Sequence, residues 1–211
     1  MIRQAEFVIM EKNFEELLNL TEKEKMLAGL WYDANFDARL IEERAFVKDL
    51  CLEFNLTRMQ EMTRRRKILR EILPNVDAEA VEILSPFMVD YGYNIFLGAG
   101  TFLNHNCYLM DCAKISLGKK VFVGPNCGFY TAIHPLDSVQ RAKGLEMAKP
   151  IEIADDVWIG GDVTILPGVK IGRGSVIGAK SLVTKDVPEN VLAFGNPCRV
   201  VKKIGLDALL V

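Results

Sequence analysis

An aliphatic residue returns at every sixth position across residues 151–186, and no other feature constrains the fold of this chain so strongly. The residue two positions before each of these is also small or aliphatic. The repeating residues are Ile153, Ile159, Ile165, Ile171, Ile177 and Val183. An α-helix repeats near 3.6 residues and an isolated strand near 2, so neither explains a period of six. Hexapeptide repeats are typical of a parallel β-helix, in which three short strands form one triangular coil and stacked coils bury identical positions.

The same spacing begins near Leu97 and, after two inserted residues near Asp111, continues to Phe129. Counted in threes, the hexads predict four coils, over 97–109, 117–129, 153–165 and 171–183. The 24 residues from Phe129 to Ile153 are a multiple of six, so they keep the register and contain an excursion from the helix. An insertion in a repeat array maps to a loop on one face, which often carries function.

The first quarter of the chain has helical rather than hexapeptide patterning. Thr21 and Glu24 form a capping box that predicts a helix over 21–31. A second helix is expected near 38–54, and Thr57 is the expected cap of a third that continues through Glu71. The residues expected on the buried face of the second helix are Leu40, Ala45, Phe46, Leu50 and Phe54. Residues 1–20 fit either an amphipathic turn or a loosely held extension.

These patterns divide the chain into four parts. We expect an N-terminal extension over 1–20, a helical region over 21–75, a β-helix over 76–204 with a loop at 130–150, and a C-terminal tail over 205–211. The chain is predicted to leave the coils at Val187 and Pro188.

Charge and composition exclude several classes of function. The 26 basic and 28 acidic residues give a net charge of −2, so the chain lacks the excess positive charge typical of nucleic-acid-binding proteins. The basic run 64–67 lies beside Glu61 and Glu71, so it predicts a solvated helix face. No apolar run approaches the roughly 20 residues that span a bilayer. The N-terminus lacks the pattern of a secretory signal, so a cytoplasmic protein without a membrane partner is expected.

The cysteines and histidines argue against a metal centre. The five cysteines form no CxxC motif, and two histidines cannot make the clustered ligand set of a zinc site. We therefore expect no bound metal. Cys107 and Cys127 occupy the same place in neighbouring coils and are predicted to be small buried hydrophobic residues, with the reduced thiols expected in the cytoplasm.

His134 is the strongest candidate for chemistry. It lies in the excursion, and Pro135 restricts its backbone to extended conformations. Loops on rigid scaffolds often carry catalytic groups, and histidine is the side chain best suited to act as a general base near neutral pH. His105 lies inside a hexad, so a structural or supporting role is expected for it.

Four segments resemble the maltose/galactoside O-acetyltransferase family of hexapeptide-repeat acyltransferases, and the helical N-terminal motif is most similar to its maltose branch. The segments are TEKEKMLAGLWYD, DYGYNIFLG, YTAIHP and the stretch from IGGDVTILPG to GNPCRVVKKI. The resemblance covers nearly everything from Thr21 to Ile204. It implies a left-handed parallel β-helix with a helical N-terminal region, assembled as a homotrimer with active sites between subunits.

The resemblance also implies roles for individual residues. His134 would take the proton from a sugar hydroxyl, whose oxygen then attacks acetyl-CoA directly without an acyl-enzyme. Asn104 would position the acceptor or stabilise the tetrahedral intermediate. Asp90, Asp33 and Asp111 are the candidate acceptor contacts, although galactoside acetyltransferases carry the last carboxylate at the position of Cys112, and this departure favours a maltose- or glucose-type acceptor. The candidate acetyl-CoA contacts are Gly161, Ala179, Thr184, Lys185, Arg199 and Lys202.

Other readings of the same scaffold remain open. A hexapeptide acetyltransferase could act on a galactoside, on serine or on an antibiotic. A γ-type carbonic anhydrase needs three zinc-binding histidines, which this chain does not have. A non-catalytic scaffold would be free to lose His134, its loop and the basic residues near the C-terminus, and keeping them all argues against it.

Overall fold

The computed structural model describes residues 19–205. The alternatives predicted for residues 1–20, and the tail over 205–211, therefore lie almost wholly outside the described residues. Within 19–205, every helix is too short or too polar to cross a bilayer.

Three parallel sheets form the walls of a triangular solenoid. The seven-stranded sheet contains β2 (Glu82–Ile83), β5 (Phe102–Leu103), β8 (Phe122–Val123), β13 (Trp158–Ile159), β16 (Val176–Ile177), β18 (Val191–Phe194) and the antiparallel β19 (Arg199–Lys203). The five-stranded sheet contains β3 (Phe87–Val89), β6 (Cys107–Met110), β9 (Gly128–Tyr130), β14 (Thr164–Ile165) and β17 (Leu182–Val183). The four-stranded sheet contains β4 (Ile95–Leu97), β7 (Ile115–Leu117), β12 (Ile151–Ile153) and β15 (Lys170–Ile171).

The register of these sheets confirms the four coils. Leu97 pairs with Leu117, and Ile153 pairs with both Leu117 and Ile171, as the period of six requires. The hexad residues point inward and form a continuous core. Cys107 and Cys127 lie in this core at 1% and 2% exposure, which confirms them as small buried residues.

The solenoid is longer than the repeat predicted. Ile83 pairs in parallel with Leu103, so the first coil begins before Leu97. The expectation that the coils end at Val187 is wrong, because Val187 bridges to Ile171 and β18 pairs in parallel with β16. The spacing hides this last coil, since Val187 follows Ile171 by 16 residues rather than the 18 of a full coil.

Three helices precede the solenoid: α1 (Glu22–Leu27), α2 (Ala38–Leu56) and α3 (Met62–Ile72). The capping box at Thr21 and Glu24 is confirmed. The helix α1 ends before the predicted 31 because Gly29 adopts a φ of 70°, with Leu30 N–H bonded to the Lys25 carbonyl. Phe54 of α2 packs edge-on against Phe87 of β3 at 6.5 Å, which joins the helices to the solenoid core.

Two predictions about the helices are wrong. Thr57 ends α2 rather than starting the next helix, because its hydroxyl donates to the Phe54 carbonyl at 2.6 Å, and α3 begins at Met62. Ala45 and Phe46 face solvent, since the buried face of α2 is formed by Leu40, Val47, Cys51 and Phe54.

Arg65 contradicts the expectation that the basic run 64–67 is a solvated face. Its side chain is 4% exposed and lies over the Phe54 ring. The guanidinium donates to Thr57 Oγ1 at 2.9 Å and to the Ile83 carbonyl at 3.2 Å. Arg65 therefore joins the end of α2 to the first strand of the solenoid.

The excursion from the coils is an ordered hairpin. β10 (Ala132–Ile133) and β11 (Leu145–Ala148) pair antiparallel and flank α4 (Ser138–Ala142). The strand β1 (Tyr32–Asp33) adds to the other edge of β11, with Tyr32 opposite Glu146. The N-terminal region is thereby held against the segment that carries His134.

Candidate active site

His134 directly follows β10, and the hairpin fixes the orientation of its ring. Nδ1 lies 3.1 Å from the Leu145 carbonyl oxygen. A carbonyl can only accept, so the proton is on Nδ1 and the lone pair of Nε2 is free. The side chain is 45% exposed. Nε2 can therefore accept a proton from a molecule bound at the surface.

Glu146 is a functional candidate that the sequence reasoning missed. Its Oε2 lies 3.5 Å from His134 Nε2, and its Oε1 accepts a hydrogen bond from the Tyr32 hydroxyl. The residue is only 7% exposed. The buried carboxylate therefore faces the ring nitrogen that is left without a proton. The only signal in the sequence was that Glu146 lies two residues before Ala148 and so on the same face of a strand. That signal can be interpreted only once the hairpin is known.

Cys112 separates Glu146 from a second carboxylate. Its thiol is 3% exposed and lies 3.8 Å from Asp90 Oδ2. Burial, together with the charges of Glu146 and Asp90, raises the pKa of the Cys112 thiol far above its usual value. The group therefore stays a neutral thiol, and a third carboxylate at this position would meet two others.

Asp90 lies at the inner end of the same cluster. Its Oδ1 accepts from the Tyr108 hydroxyl at 2.6 Å and pairs with Lys48 Nζ at 3.1 Å. The residue is 6% exposed. A buried polar group needs such partners to offset the cost of leaving water.

Asp111 fixes the backbone around Asp90 through hydrogen bonds. Its Oδ1 accepts from the N–H groups of Asp90 and Tyr91, and its Oδ2 accepts from Asn94 N–H. The side chain is fully buried. Burial raises the pKa of Asp111 to about 6, while the three backbone donors act in the opposite direction. The carboxylate is saturated by the backbone, so the structure gives it a supporting position rather than one facing a ligand.

Asp33 is half-buried beside the hairpin. Its Oδ1 accepts from the N–H groups of Asn35 and Phe36, which closes the turn after β1. Its own N–H donates to a Glu22 carboxylate oxygen at 2.5 Å.

Asn104, Gly161 and Ala179 lie along one corner of the solenoid. Asn104 directly follows β5, and Gly161 and Ala179 each lie two residues beyond a strand of the same seven-stranded sheet. Strand register places Gly161 two coils from Asn104 and Ala179 one coil further. Asn104 Oδ1 accepts from His105 N–H at 2.7 Å. A Cβ on Gly161 would meet Pro125 at an ordinary 3.4 Å, so coil stacking does not by itself require glycine there.

The remaining candidates lie at the C-terminal end of the solenoid. Lys185 and Arg199 line one cavity of about 260 Å³. Thr184 directly precedes Lys185, and Lys202 is exposed on β19, three residues beyond Arg199. The structure thus brings two of the predicted cations together and places the other two residues beside them.

Two groups of candidates do not meet within one chain. Asn104 lies at the N-terminal ends of the strands of the five-stranded sheet, and His134 lies beyond their C-terminal ends. Over residues 19–205, no hydrogen bond or ion pair links the two side chains. The same residues contain no cluster of three or more histidine, cysteine or carboxylate groups that could hold a metal ion.

Family models match two parts of the chain. Residues 25–77 match the maltose acetyltransferase hexapeptide capping motif, and residues 150–185 match the bacterial transferase hexapeptide of six repeats. The first match covers the helices, and the second covers the regular hexapeptide repeats of the second half of the solenoid.

Full-length comparisons agree with these matches. A Staphylococcus aureus (strain Mu50) protein, named only provisionally as an acetyltransferase, is 53% identical over 188 residues, 89% of this chain and 94% of its own. A crystal structure of a maltose O-acetyltransferase from Clostridium difficile 630 superposes with a TM-score of 0.84 at 46% identity, over 88% of this chain and 98% of the other.

A hexapeptide-repeat acetyltransferase from Vibrio cholerae, solved in complex with acetyl coenzyme A, gives a TM-score of 0.78 at 36% identity. It covers 88% of this chain and 100% of the other. With the solenoid and the histidine-bearing hairpin, these likenesses show that the chain is an acyltransferase belonging to the maltose/galactoside O-acetyltransferase family of hexapeptide-repeat acetyltransferases.

Proposed function

We propose that this protein transfers an acetyl group from acetyl-CoA to a hydroxyl of a maltose- or glucose-type sugar, with His134 as the general base. The observation that carries the proposal is the free Nε2 of His134, set by the bond between Nδ1 and the Leu145 carbonyl. A maltose O-acetyltransferase and an acetyl-CoA complex among the solved relatives support the two substrates.

In this mechanism the acceptor hydroxyl gives its proton to His134 Nε2 while its oxygen attacks the thioester carbonyl. The tetrahedral intermediate collapses, the C–S bond breaks, and the imidazolium returns the proton to the departing CoA sulfur. Glu146, 3.5 Å from Nε2, stabilises the imidazolium between these two steps. No covalent acyl-enzyme is formed, because the hydroxyl attacks the thioester directly.

The acceptor is placed between the hairpin and the buried carboxylates. Asp90 and Asp33 remain the proposed acceptor contacts, and Asp111 supports Asp90 through the backbone. Cys112 favours the maltose-type acceptor, because this position carries no carboxylate that could bind a galactoside.

The cofactor is proposed to follow the coil corner and the C-terminal cations. Gly161 and Ala179 offer small residues beside which the pantetheine arm fits, and Thr184 extends this path. Lys185, Arg199 and Lys202 supply charge-assisted donors for the phosphates. The cavity shared by Lys185 and Arg199 supports this path.

The site is proposed to form between copies of the chain in a homotrimer. One observation is that a whole face of the solenoid separates His134 from Asn104 within one chain. Another is an apolar ladder on the outer face of the seven-stranded sheet, which borders the corner of Asn104, Gly161 and Ala179. The ladder consists of Phe102, Phe122, Trp158, Val176 and Leu192. Phe122 and Trp158 are half exposed, as expected of a surface that another copy covers.

A thiol-release assay tests the proposal. Purified protein with acetyl-CoA is offered maltose, glucose, a galactoside, serine and an aminoglycoside, and each acetylated product is identified by mass. We expect turnover with maltose or glucose and a loss of 10²- to 10⁴-fold in kcat for His134→Ala. Turnover with serine or the antibiotic alone would reassign the acceptor. Wild-type turnover by His134→Ala would overturn the assignment of the base.

A further inference from the structure

Tyr32, in the N-terminal region, reaches the catalytic histidine through one intervening side chain. We propose that Tyr32 is a positioning residue for acetyl transfer: its hydroxyl holds Glu146 so that the second carboxylate oxygen faces Nε2 of His134. The proposal rests on the function proposed above and concerns a residue 102 positions from His134 in the sequence.

The geometry assigns each oxygen of Glu146 a separate partner. Oε1 accepts from the Tyr32 hydroxyl, and Oε2 lies 3.5 Å from His134 Nε2. Both Tyr32 and Glu146 are buried, at 1% and 7% exposure. A carboxylate held at one oxygen keeps the other pointed at the imidazole, whereas an unheld carboxylate is free to rotate away.

The Tyr32 hydroxyl is a permanent donor. Burial, followed by the nearby Cys112 and Glu146, raises the pKa of Tyr32 far above its ordinary value. The phenol therefore stays protonated throughout the working range and donates to the carboxylate. This donation occupies one oxygen of Glu146 and leaves the other oxygen facing His134.

Tyr32 is itself fixed by the elements around it. Its strand pairs with β11 directly opposite Glu146, and its ring packs in a buried cluster with Met26, Leu40 and Tyr91. A side chain held this firmly can set the position of Glu146 without moving during the reaction. The N-terminal region is therefore part of the catalytic machinery as well as a cover for the solenoid.

The chain offers a matched control at Tyr91. This tyrosine is also 1% exposed and belongs to the same cluster. Its hydroxyl accepts from Arg44 at 2.6 Å and donates to no oxygen of Glu146 among the bonds of residues 19–205. Tyr91→Phe and Tyr32→Phe thus remove the same atom from the same core, but only Tyr32→Phe frees the carboxylate.

The test is a double-mutant cycle on kcat. We expect Tyr32→Phe to lower kcat roughly tenfold with the KM for acetyl-CoA unchanged, and Tyr91→Phe to stay within about twofold of wild type. In a Glu146→Gln background, Tyr32→Phe should cost no more than about a further twofold, because Tyr32 acts through Glu146. Thermal unfolding of both Phe variants shows whether they lose similar stability.

Three outcomes would overturn the proposal. They are an unchanged kcat in Tyr32→Phe, equal losses in both Phe variants, and a full tenfold loss in the Glu146→Gln background. An activity-independent readout separates this failure from that of the proposed function. The chain has two histidines, so His134→Ala assigns the imidazole NMR signals of His134. These signals should shift in Tyr32→Phe and not in Tyr91→Phe, and unchanged signals would overturn the proposal even if no acceptor is acetylated.

Discussion

A single carbonyl oxygen decides which ring nitrogen of His134 is free to accept a proton in the proposed reaction. The Leu145 carbonyl accepts from Nδ1, and the residue after Leu145 supplies the carboxylate that faces Nε2. Two adjacent residues of β11 therefore fix both sides of the ring, one through its backbone and one through its side chain. The chemistry depends on how β11 is placed as much as on the histidine.

Asp111 gives a prediction at the same scale. Its pKa is raised to about 6, so between about pH 4 and 6 the folded protein keeps a proton that the unfolded chain has lost. The free energy of unfolding is therefore highest below about pH 4 and falls as the pH rises from about 4 to 6. The decrease is up to about 3 kcal/mol, at 1.36 kcal/mol per pKa unit. We expect the free energy of unfolding in urea, wild type minus Asp111→Asn, to decrease from pH 4 to pH 6.5. A difference that is flat or rises with pH would contradict the account.

At the scale of elements, the solenoid could be predicted because its signal is local. Each hexad carries an inward apolar residue, and the register of the four predicted coils follows from counting. The hairpin could not be predicted in this way, since Tyr32 and Glu146 pair across 114 positions without any shared period. For the same reason the sequence identified His134 as a candidate, because it is a histidine in a loop, but did not identify Glu146 or Tyr32.

Arg65 shows how a local pattern can mislead. The run 64–67 is uniformly basic, but helical geometry turns its second member inward, where it bonds to the end of α2 and to β2. We expect Arg65→Ala to lower the free energy of unfolding by about 3 kcal/mol, because it leaves the Ile83 carbonyl without a donor and opens a cavity.

Arg64→Ala is the control for Arg65→Ala. The Arg64 side chain is 54% exposed and forms a surface pair with Glu53, so its loss should lower the free energy of unfolding far less than the loss of Arg65. Equal effects of the two substitutions in urea titrations would show that the buried bonds of Arg65 add nothing to stability.

At the scale of the whole molecule, the proposed site is incomplete within a single chain. The proposed base lies on a hairpin beyond the C-terminal ends of the strands of the five-stranded sheet, and the corner with Asn104 and Gly161 lies at their N-terminal ends. Two residues of the apolar ladder beside that corner, Phe122 and Trp158, are half exposed in one chain. In the proposed homotrimer, a second copy that covers the ladder brings its own His134 to this corner and so joins the proposed base to the proposed cofactor path.

Hybrid assemblies of two inactive variants test whether the active site is shared between copies of the chain. His134→Ala and Asn104→Ala each lack one partner, and removal of an oxyanion donor alone costs about 10²- to 10³-fold in kcat. In co-expressed trimers with random mixing, about a quarter of the sites should combine an intact His134 from one chain with an intact Asn104 from another. We expect acetyl transfer to recover to about a quarter of the wild-type rate. Activity no higher than that of the separate variants would contradict a site shared between copies.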